Sequence, residues 1–368
     1  MFDSDCDALI ALNLVGMVGH VLYRRLRARA GSPRAIFELP PASLSSVEGL
    51  RAKALEGLTA RDLPDRVARE KEEAARLGVR IVTLGDGEYP SLLASIFDPP
   101  LVLYLRGELR PADGLAVALV GSRRASYYGE KQARRLASSL AHAGFTVVSG
   151  LARGIDAACH EGALEAGGRT IAVLGCGLRQ IYPEEHEELA GRVAGQGAVL
   201  SEHAMGFPVL AENFPRRNRI VSGLSLGVVV VEAGRTSGAL ITARWAAEQG
   251  REVFAVPGPV DRPGFAGCHR LIKDGAKLVE TVEDILEELG PLAKAVATPQ
   301  GEEVQDPRLL ALSEGEQRVL SVLDSEPRSV DDVIGRVGLP TSAVSAALFS
   351  LELKHLAVQL VGKRFVRS

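Results

Sequence analysis

Ala116-Val-Ala-Leu-Val-Gly-Ser-Arg-Arg124 and, after a helical stretch, Thr146-Val-Val-Ser-Gly-Leu-Ala-Arg-Gly-Ile-Asp156 decide the fold. Each is a short, β-rich apolar run that ends on a small-residue turn carrying an arginine, then gives way to helical spacing. The rhythm continues outward. Thr170–Leu174, Ala198–Ser201, Val228–Glu232 and Glu252–Val256 are further candidate strands. Tyr128–Ala143, Ile155–Ala166, Glu184–Ala194, Arg217–Gly223 and Ala239–Gln249 are the candidate helices between them. Short runs apolar on both faces, separated by helices, build a parallel sheet covered on both sides. The spacing therefore predicts an α/β fold: an extended Rossmann-like domain with a parallel-rich sheet over residues 80–290.

Two smaller regions flank it. Residues 1–75 are rich in Leu, Ala and Arg at helical spacing, interrupted by Pro33, Pro40 and Pro41. Val15-Gly-Met-Val-Gly19 and Ser46-Val-Glu-Gly-Leu50 are similar to the turns of SAM/helix-hairpin-helix-like domains, where N–H groups at a helix start meet a phosphate. A plain helical bundle with glycine turns accounts for the same residues. Residues 291–307 mix Pro, Ala and acids without a period, as a linker does. Within 308–368, Ser313–Leu323, Ser329–Val337 and Thr341–Lys354 are expected helices, with Ser313/Glu316 and Ser329/Asp332 as capping signals. Leu356–Leu360 and Arg364–Arg367, split by Gly362-Lys363, add a hairpin and complete a winged helix.

The chain has 368 residues, and its 43 basic against 46 acidic side chains leave a formal charge of -3. Such a balance offers no bulk attraction to polyanions. It is, however, an average over two surfaces. Acids lie on helices, as in Glu184-Glu-His-Glu-Glu188, while arginines gather at strand ends. No run approaches the ~18 apolar residues of a membrane span. The acidic Met1–Asp7 start is unlike a secretory signal. Cys6, Cys159, Cys176 and Cys268 show no Cys-x-x-Cys spacing, so no disulfide framework or thiolate metal site is expected. A cytoplasmic location follows as the expectation.

Catalytic patterns fail on context. Gly223-Leu-Ser-Leu-Gly227 has the letters of a nucleophile elbow but falls between a helix and the next strand, the reverse of what the elbow needs. Gly175-Cys-Gly-Leu-Arg-Gln180 lacks the third glycine of a dinucleotide fingerprint, and no P-loop is present. The seven histidines form no pair at metal-ligand spacing. Neither a catalytic residue, a metal nor a cofactor is expected.

Anion-binding signals are stronger. Gly121, Ser122 and Arg123 end one strand; Arg153 follows the next. Phe214-Pro-Arg216-Arg217-Asn218-Arg219 packs three arginines, an amide and an aromatic ring into six residues, and Ser237-Gly238 opens a helix. Ligands sit outside the carboxyl ends of parallel strands, glycine admits a phosphate closely, and arginine grips it bidentately. One cradle suits a mononucleotide. A row of them with an aromatic ring suits a single strand's repeating phosphates and stacking bases.

These motifs, with Thr170–Gly177, Tyr182-Pro183, Ser237–Ala243, Arg251–Gly258 and Gly267–Ala276 in the same order, resemble the bacterial DNA-processing protein A (DprA/Smf) family over about 200 residues. The resemblance implies a non-enzymatic, single-stranded DNA-binding recombination mediator of natural transformation. Such a protein shields incoming strands and promotes RecA loading, working with single-strand-binding protein as a homodimer. It carries phosphate contact to Arg123 with Gly121 and Ser122, basic and stacking contacts to Phe214–Arg219, and pocket closure to Ser237 and Gly238. It places self-association on His269, Leu271, Ile272 and Leu278. The winged helix is a candidate for duplex DNA, with Lys354, Lys363, Arg364 and Arg367 near phosphates, or for protein. Thr341, Ser342 and Ser345 are its early solvent-facing positions, without an arginine to read guanine.

The competing enzyme reading is a nucleotide-processing, phosphoribohydrolase-like protein on a similar scaffold. Val231-Glu-Ala-Gly-Arg-Thr236 faintly matches the glycine-rich loop of that class but lacks its paired glycines. Glu232 is then expected to be structural.

Overall fold

The computed structural model describes residues 2–289, 312–324, 327–353, 356–360 and 364–367. Nine strands form the main sheet: β1 (Arg80–Thr83), β2 (Val102–Gly107), β3 (Ala116–Gly121), β4 (Thr146–Ser149), β5 (Thr170–Val173), β6 (Ala198–Ser201), β7 (Gly227–Glu232), β8 (Glu252–Ala255) and β9 (Lys277–Leu278). Their order is β1-β2-β6-β5-β4-β3-β7-β8-β9. All six expected strands are present, and every pair from β6 to β9 is parallel. β1 and β2 add an antiparallel margin on β6. The chain builds outward from β3 to β6, then returns to place β7 on the other flank of β3. The β3/β7 boundary is therefore the topological switch point, where doubly wound sheets bind ligands.

Side-chain alternation explains the layers. Val117, Leu119, Val147, Val229 and Val231 face α7 (Tyr127–His142) and α8 (Ile155–Glu165). Ala118, Val120, Val148, Val228 and Val230 face the opposite way, toward α10 (Asn213–Gly223) and α11 (Ala239–Glu248). Both faces are buried, which is why the strands read as continuous apolar runs instead of alternating ones. Each such valine or leucine side chain withdrawn from water contributes roughly 1.5–3 kcal/mol.

The amino-terminal region forms α1 (Asp5–Val15), α2 (His20–Ala30), α3 (Pro41–Ser45), α4 (Ala52–Leu58) and α5 (Leu63–Arg76). Short α6 (Ser91–Ala94) follows β1, and α9 (Glu187–Gln196) precedes β6. Ala8, Leu9, Leu12 and Leu26 share one continuous core with Tyr104, Leu151, Leu174 and Val199 of the sheet unit. Asn13 Nδ2 donates to the Glu202 carbonyl (3.2 Å) and Met205 N to Glu70 Oε1 (2.6 Å), tying the two regions further. At the first glycine turn one N–H of the helix start is already taken. His20 N, at the start of α2, already donates to Asp98 Oδ1 at 3.3 Å. A carboxylate of the same chain, Asp98, holds that N–H, as in a plain helical bundle.

α12 (Ala266–Lys273) and α13 (Val282–Leu289) close the α/β unit. The expected linker, 291–307, lies outside the described residues. Beyond it, α14 (Glu314–Ser321), α15 (Val330–Val337) and α16 (Thr341–Leu353) accompany a three-stranded sheet, β10 (Arg328–Ser329), β12 (Arg364–Arg367) and β11 (Ala357–Leu360), in that order. Both capping signals are used. Ser313 and Glu316 form a reciprocal capping box, and Ser329 Oγ accepts from Asp332 N at 3.2 Å. Thr341, Ser342 and Ser345 are exposed as expected, and Phe349 joins them at 63% exposure. Lys354 and Lys363 lie outside the described residues. Among those described, no single helix is long and apolar enough to cross a membrane.

Candidate nucleic-acid interface

Ser122 N donates to the Glu232 carbonyl (2.8 Å) at the switch point, stitching the β3 turn to the end of β7. Gly121 is required there. A Cβ would lie 2.5 Å from Ile155 Cγ1 and 2.9 Å from the Glu232 carbonyl oxygen. Ser122 Oγ is engaged locally, accepting from Arg124 N at 3.1 Å. Arg123 is exposed, and its guanidinium carbon stands 5.0 Å from the Phe214 ring centroid. Tyr182 extends the row, its ring tilted 48° to Phe214 with the centroids 5.6 Å apart. A cation, a half-buried ring and a second ring thus line up in front of the strand ends, and such a row can pair a phosphate and a base at once.

The β4 turn is held from below. Asp156 accepts from Gly150 N (3.2 Å) and Ala152 N (3.3 Å), and His186 Nδ1 lies 2.8 Å from the Leu151 carbonyl. Between these anchors Leu151 holds φ 57°, a left-handed conformation that surrounding structure must enforce for a residue with a side chain. His160 is buried beneath, 2.7 Å from Thr170 Oγ1, and burial pushes its pKa down to about 3, so the ring is neutral.

The arginines of the Phe214 segment divide. α10 begins at Asn213, one turn earlier than the spacing predicts, and the helix phase decides each side chain. Arg216 is exposed, and Asn218, half-buried, donates to the Gly238 carbonyl (3.3 Å). Arg217 is 3% exposed and Arg219 8%. They are corrected from surface contacts to interior cations. Arg217 lies under Gly150, donates to the Val173 carbonyl and faces Asp156. Burial pushes its pKa down to about 10, against the Asp156 charge that raises it. Arg219 grips Glu202 with two hydrogen bonds of 2.6 Å each and reaches Asp98 at 3.3 Å. Burial opposes Glu202 ionisation, but the Arg219 guanidinium outweighs it and holds the carboxyl below its usual range.

Arg153 is exposed but engaged by Glu185, so it reaches the edge already neutralised. Ser237 Oγ accepts from Ala239 N (3.3 Å), and Gly238 is open at the start of α11. Of the proposed self-association residues, Leu271 and Ile272 pack half-buried on the core, and His269 Nε2 lies 3.0 Å from the Gly258 carbonyl. Leu278 is 40% exposed on β9, an edge strand.

Glu232 is the residue whose role motif spacing hides. Buried at the end of β7, it accepts from Ser126 N (3.0 Å) and Ser126 Oγ (2.6 Å) at the amino terminus of α7. Its charge satisfies an orphan donor and complements the helix dipole. Glu232→Ala is expected to lower stability by about 2 kcal/mol, read as a fall in the denaturant midpoint at unchanged m.

A doubly wound sheet with glycine turns, exposed arginines and a pair of neighbouring aromatic rings at its carboxyl edge defines a nucleotide- or nucleic-acid-binding Rossmann-like protein. Residues 80–290 match the family described as DNA recombination-mediator protein A, and residues 303–363 match the DprA winged helix domain. The chain belongs to that recombination-mediator family. Protein Smf of Escherichia coli (strain K12) is 46% identical over 266 residues, covering 72% of this chain and 71% of the relative. Protein Smf of Synechocystis is 34% identical along the full length of both chains. The X-ray structure of DprA from Streptococcus pneumoniae superposes with a TM-score of 0.69 at 35% identity, over 78% of this chain and 99% of that one. DprA from Helicobacter pylori, described for its single-stranded DNA binding mode, gives 0.52 at 30% identity, over 58% and 96%.

Proposed function

We propose that this chain binds single-stranded DNA along the carboxyl edge of the α/β unit and acts without a catalytic step of its own. In natural transformation it shields incoming strands and promotes RecA loading, with single-strand-binding protein as a further partner. Residues 80–290 are the binding unit, 291–307 the linker and 308–368 a module for duplex DNA or protein. A homodimer forms through His269, Leu271, Ile272 and Leu278. The observation that carries the reading is the Arg123–Phe214–Tyr182 row at the switch point. Phosphate contact falls to Arg123 and Arg216; Ser122, Asn218, Ser237 and Gly238 shape the turn; Arg217 and Arg219 act from beneath.

The enzyme alternative is disfavoured by Glu232, whose carboxylate is committed to Ser126 and buried away from any substrate. Anisotropy with single- and double-stranded oligonucleotides at stepped salt tests the proposal. Nucleotide-independent preference for the single strand is expected, with log K falling ~0.7 per phosphate contact against log salt. Salt-independent binding, or single-strand affinity unchanged by Arg123→Ala, overturns it. Release of free base from a nucleoside monophosphate would instead establish the hydrolase.

A further inference from the structure

The cations at the carboxyl edge are of two kinds. Toward β4, β5 and β6 they are spent: Arg153 on Glu185, Arg179 on Glu73 (2.6 Å), Arg106 on Glu187 (3.4 Å) and Arg219 on Glu202. Exposed Glu184 and Glu188 add further negative charge to that flank. Toward β7 and β8 the pattern reverses. Arg124, Arg235 and Arg262 are exposed, and among the described residues none has a carboxylate partner. The loops that carry them are joined: Ser126 binds Glu232, Tyr128 Oη donates to the Pro257 carbonyl (3.1 Å), and Gly267 N to the Ala233 carbonyl (2.8 Å). Tyr127, in the first turn of α7, presents its ring to solvent at 83% exposure, and Val260 is 91% exposed nearby in sequence to Arg262.

We propose that a bound single strand leaves the Arg123–Phe214 cradle toward β7 and β8. Arg124, Arg235 and Arg262 take successive phosphates, and Tyr127 stacks one base. This path rests on the carboxyl edge being the single-strand site. Its direction follows from charge: only an unpaired arginine releases condensed counterions on meeting a phosphate, and carboxylates on the other flank repel the backbone. A solvent-facing ring beside free cations is the pairing that single-strand grooves use for bases and phosphates.

Anisotropy with oligonucleotides of about 4 and about 16 nucleotides, spanning the site sizes such grooves occupy, tests the path. For the longer strand, Arg235→Ala/Arg262→Ala should weaken binding and lower the log–log salt slope by about 1.4, two contacts at ~0.7 each. Tyr127→Ala should cost about tenfold and Tyr127→Phe restore it. Arg153→Ala should bind like the parent, and the short strand should be insensitive to the Arg235/Arg262 pair. If Arg123→Ala weakens binding while Arg235→Ala/Arg262→Ala and Tyr127→Ala do not, the path is wrong and the cradle stands. A loss at Arg153→Ala matching that of the Arg235/Arg262 pair also overturns the direction. Parent-like binding by Arg123→Ala removes the cradle, and the path with it.

Discussion

Arg217→Met is expected to cost about 3–5 kcal/mol at neutral pH, a fall of roughly 10 °C in the thermal midpoint. The substitution keeps the volume of the stem but strips the charge facing Asp156, which is left buried with hydrogen bonds from Gly150 N, Ala152 N and the Ser149 side chain as its remaining support. Burial already pushes the Asp156 carboxyl up, with Arg217 the largest opposing influence. A carboxyl whose folded pKa exceeds its unfolded one binds its proton more tightly when folded. Its penalty is therefore absent below the unfolded pKa and grows as pH rises through the folded one. The deficit of Arg217→Met should shrink on moving from pH 7 toward pH 4. Asp156→Asn in the same chain should recover much of it, giving a large coupling in the double-mutant cycle. Chemical denaturation at pH 7 and pH 4.5 measures both. A deficit independent of pH and unchanged by Asp156→Asn would show that the guanidinium stabilises by packing alone.

Phe214→Ala should weaken single-stranded DNA binding by 1–3 kcal/mol, about 5- to 150-fold, with the salt slope unchanged. The ring carries no charge, so its loss removes stacking and releases no fewer counterions. Arg123→Ala should behave differently, lowering the slope by about 0.7. The guanidinium 5.0 Å from the ring also makes the two losses non-additive, because each side chain holds the other in place. Titrations of the two single variants and the double at three salt concentrations separate these effects. A slope that falls with Phe214→Ala, or an additive double variant, would mean that ring and cation act at separate places on the strand.

What was legible in the sequence were elements whose burial pattern is local. Val228–Val231 could be nothing but a central strand, and Ser313 with Glu316 marked a helix start that the structure uses. The antiparallel β1 and β2 were not anticipated, because a margin strand pairs through contacts far along the chain. The Phe214 segment shows how charge can mislead. With the helix begun at Asn213, positions 213, 217, 220 and 221 share the buried side. Arginines are seldom buried, and carboxylates distant along the chain, Asp156 for Arg217 and Glu202 with Asp98 for Arg219, make two of them tolerable in this segment. Arg153 failed for the same reason in reverse: its neutralising Glu185 sits 32 residues away.

The amino-terminal helices share a core with the sheet, and this changes what truncation would mean. Cutting the chain near residue 75 would not lift off a self-standing accessory. It would bare Tyr104, Leu174 and Val199 on one wall of the α/β unit and leave Leu9, Leu12 and Leu26 without a counterpart. Each half would then carry a sticky apolar flank prone to self-association. Loss of DNA affinity in such a fragment would report a damaged scaffold, not a missing contact. The two regions share one core, and a graft of either onto a relative would have to carry the matching wall along.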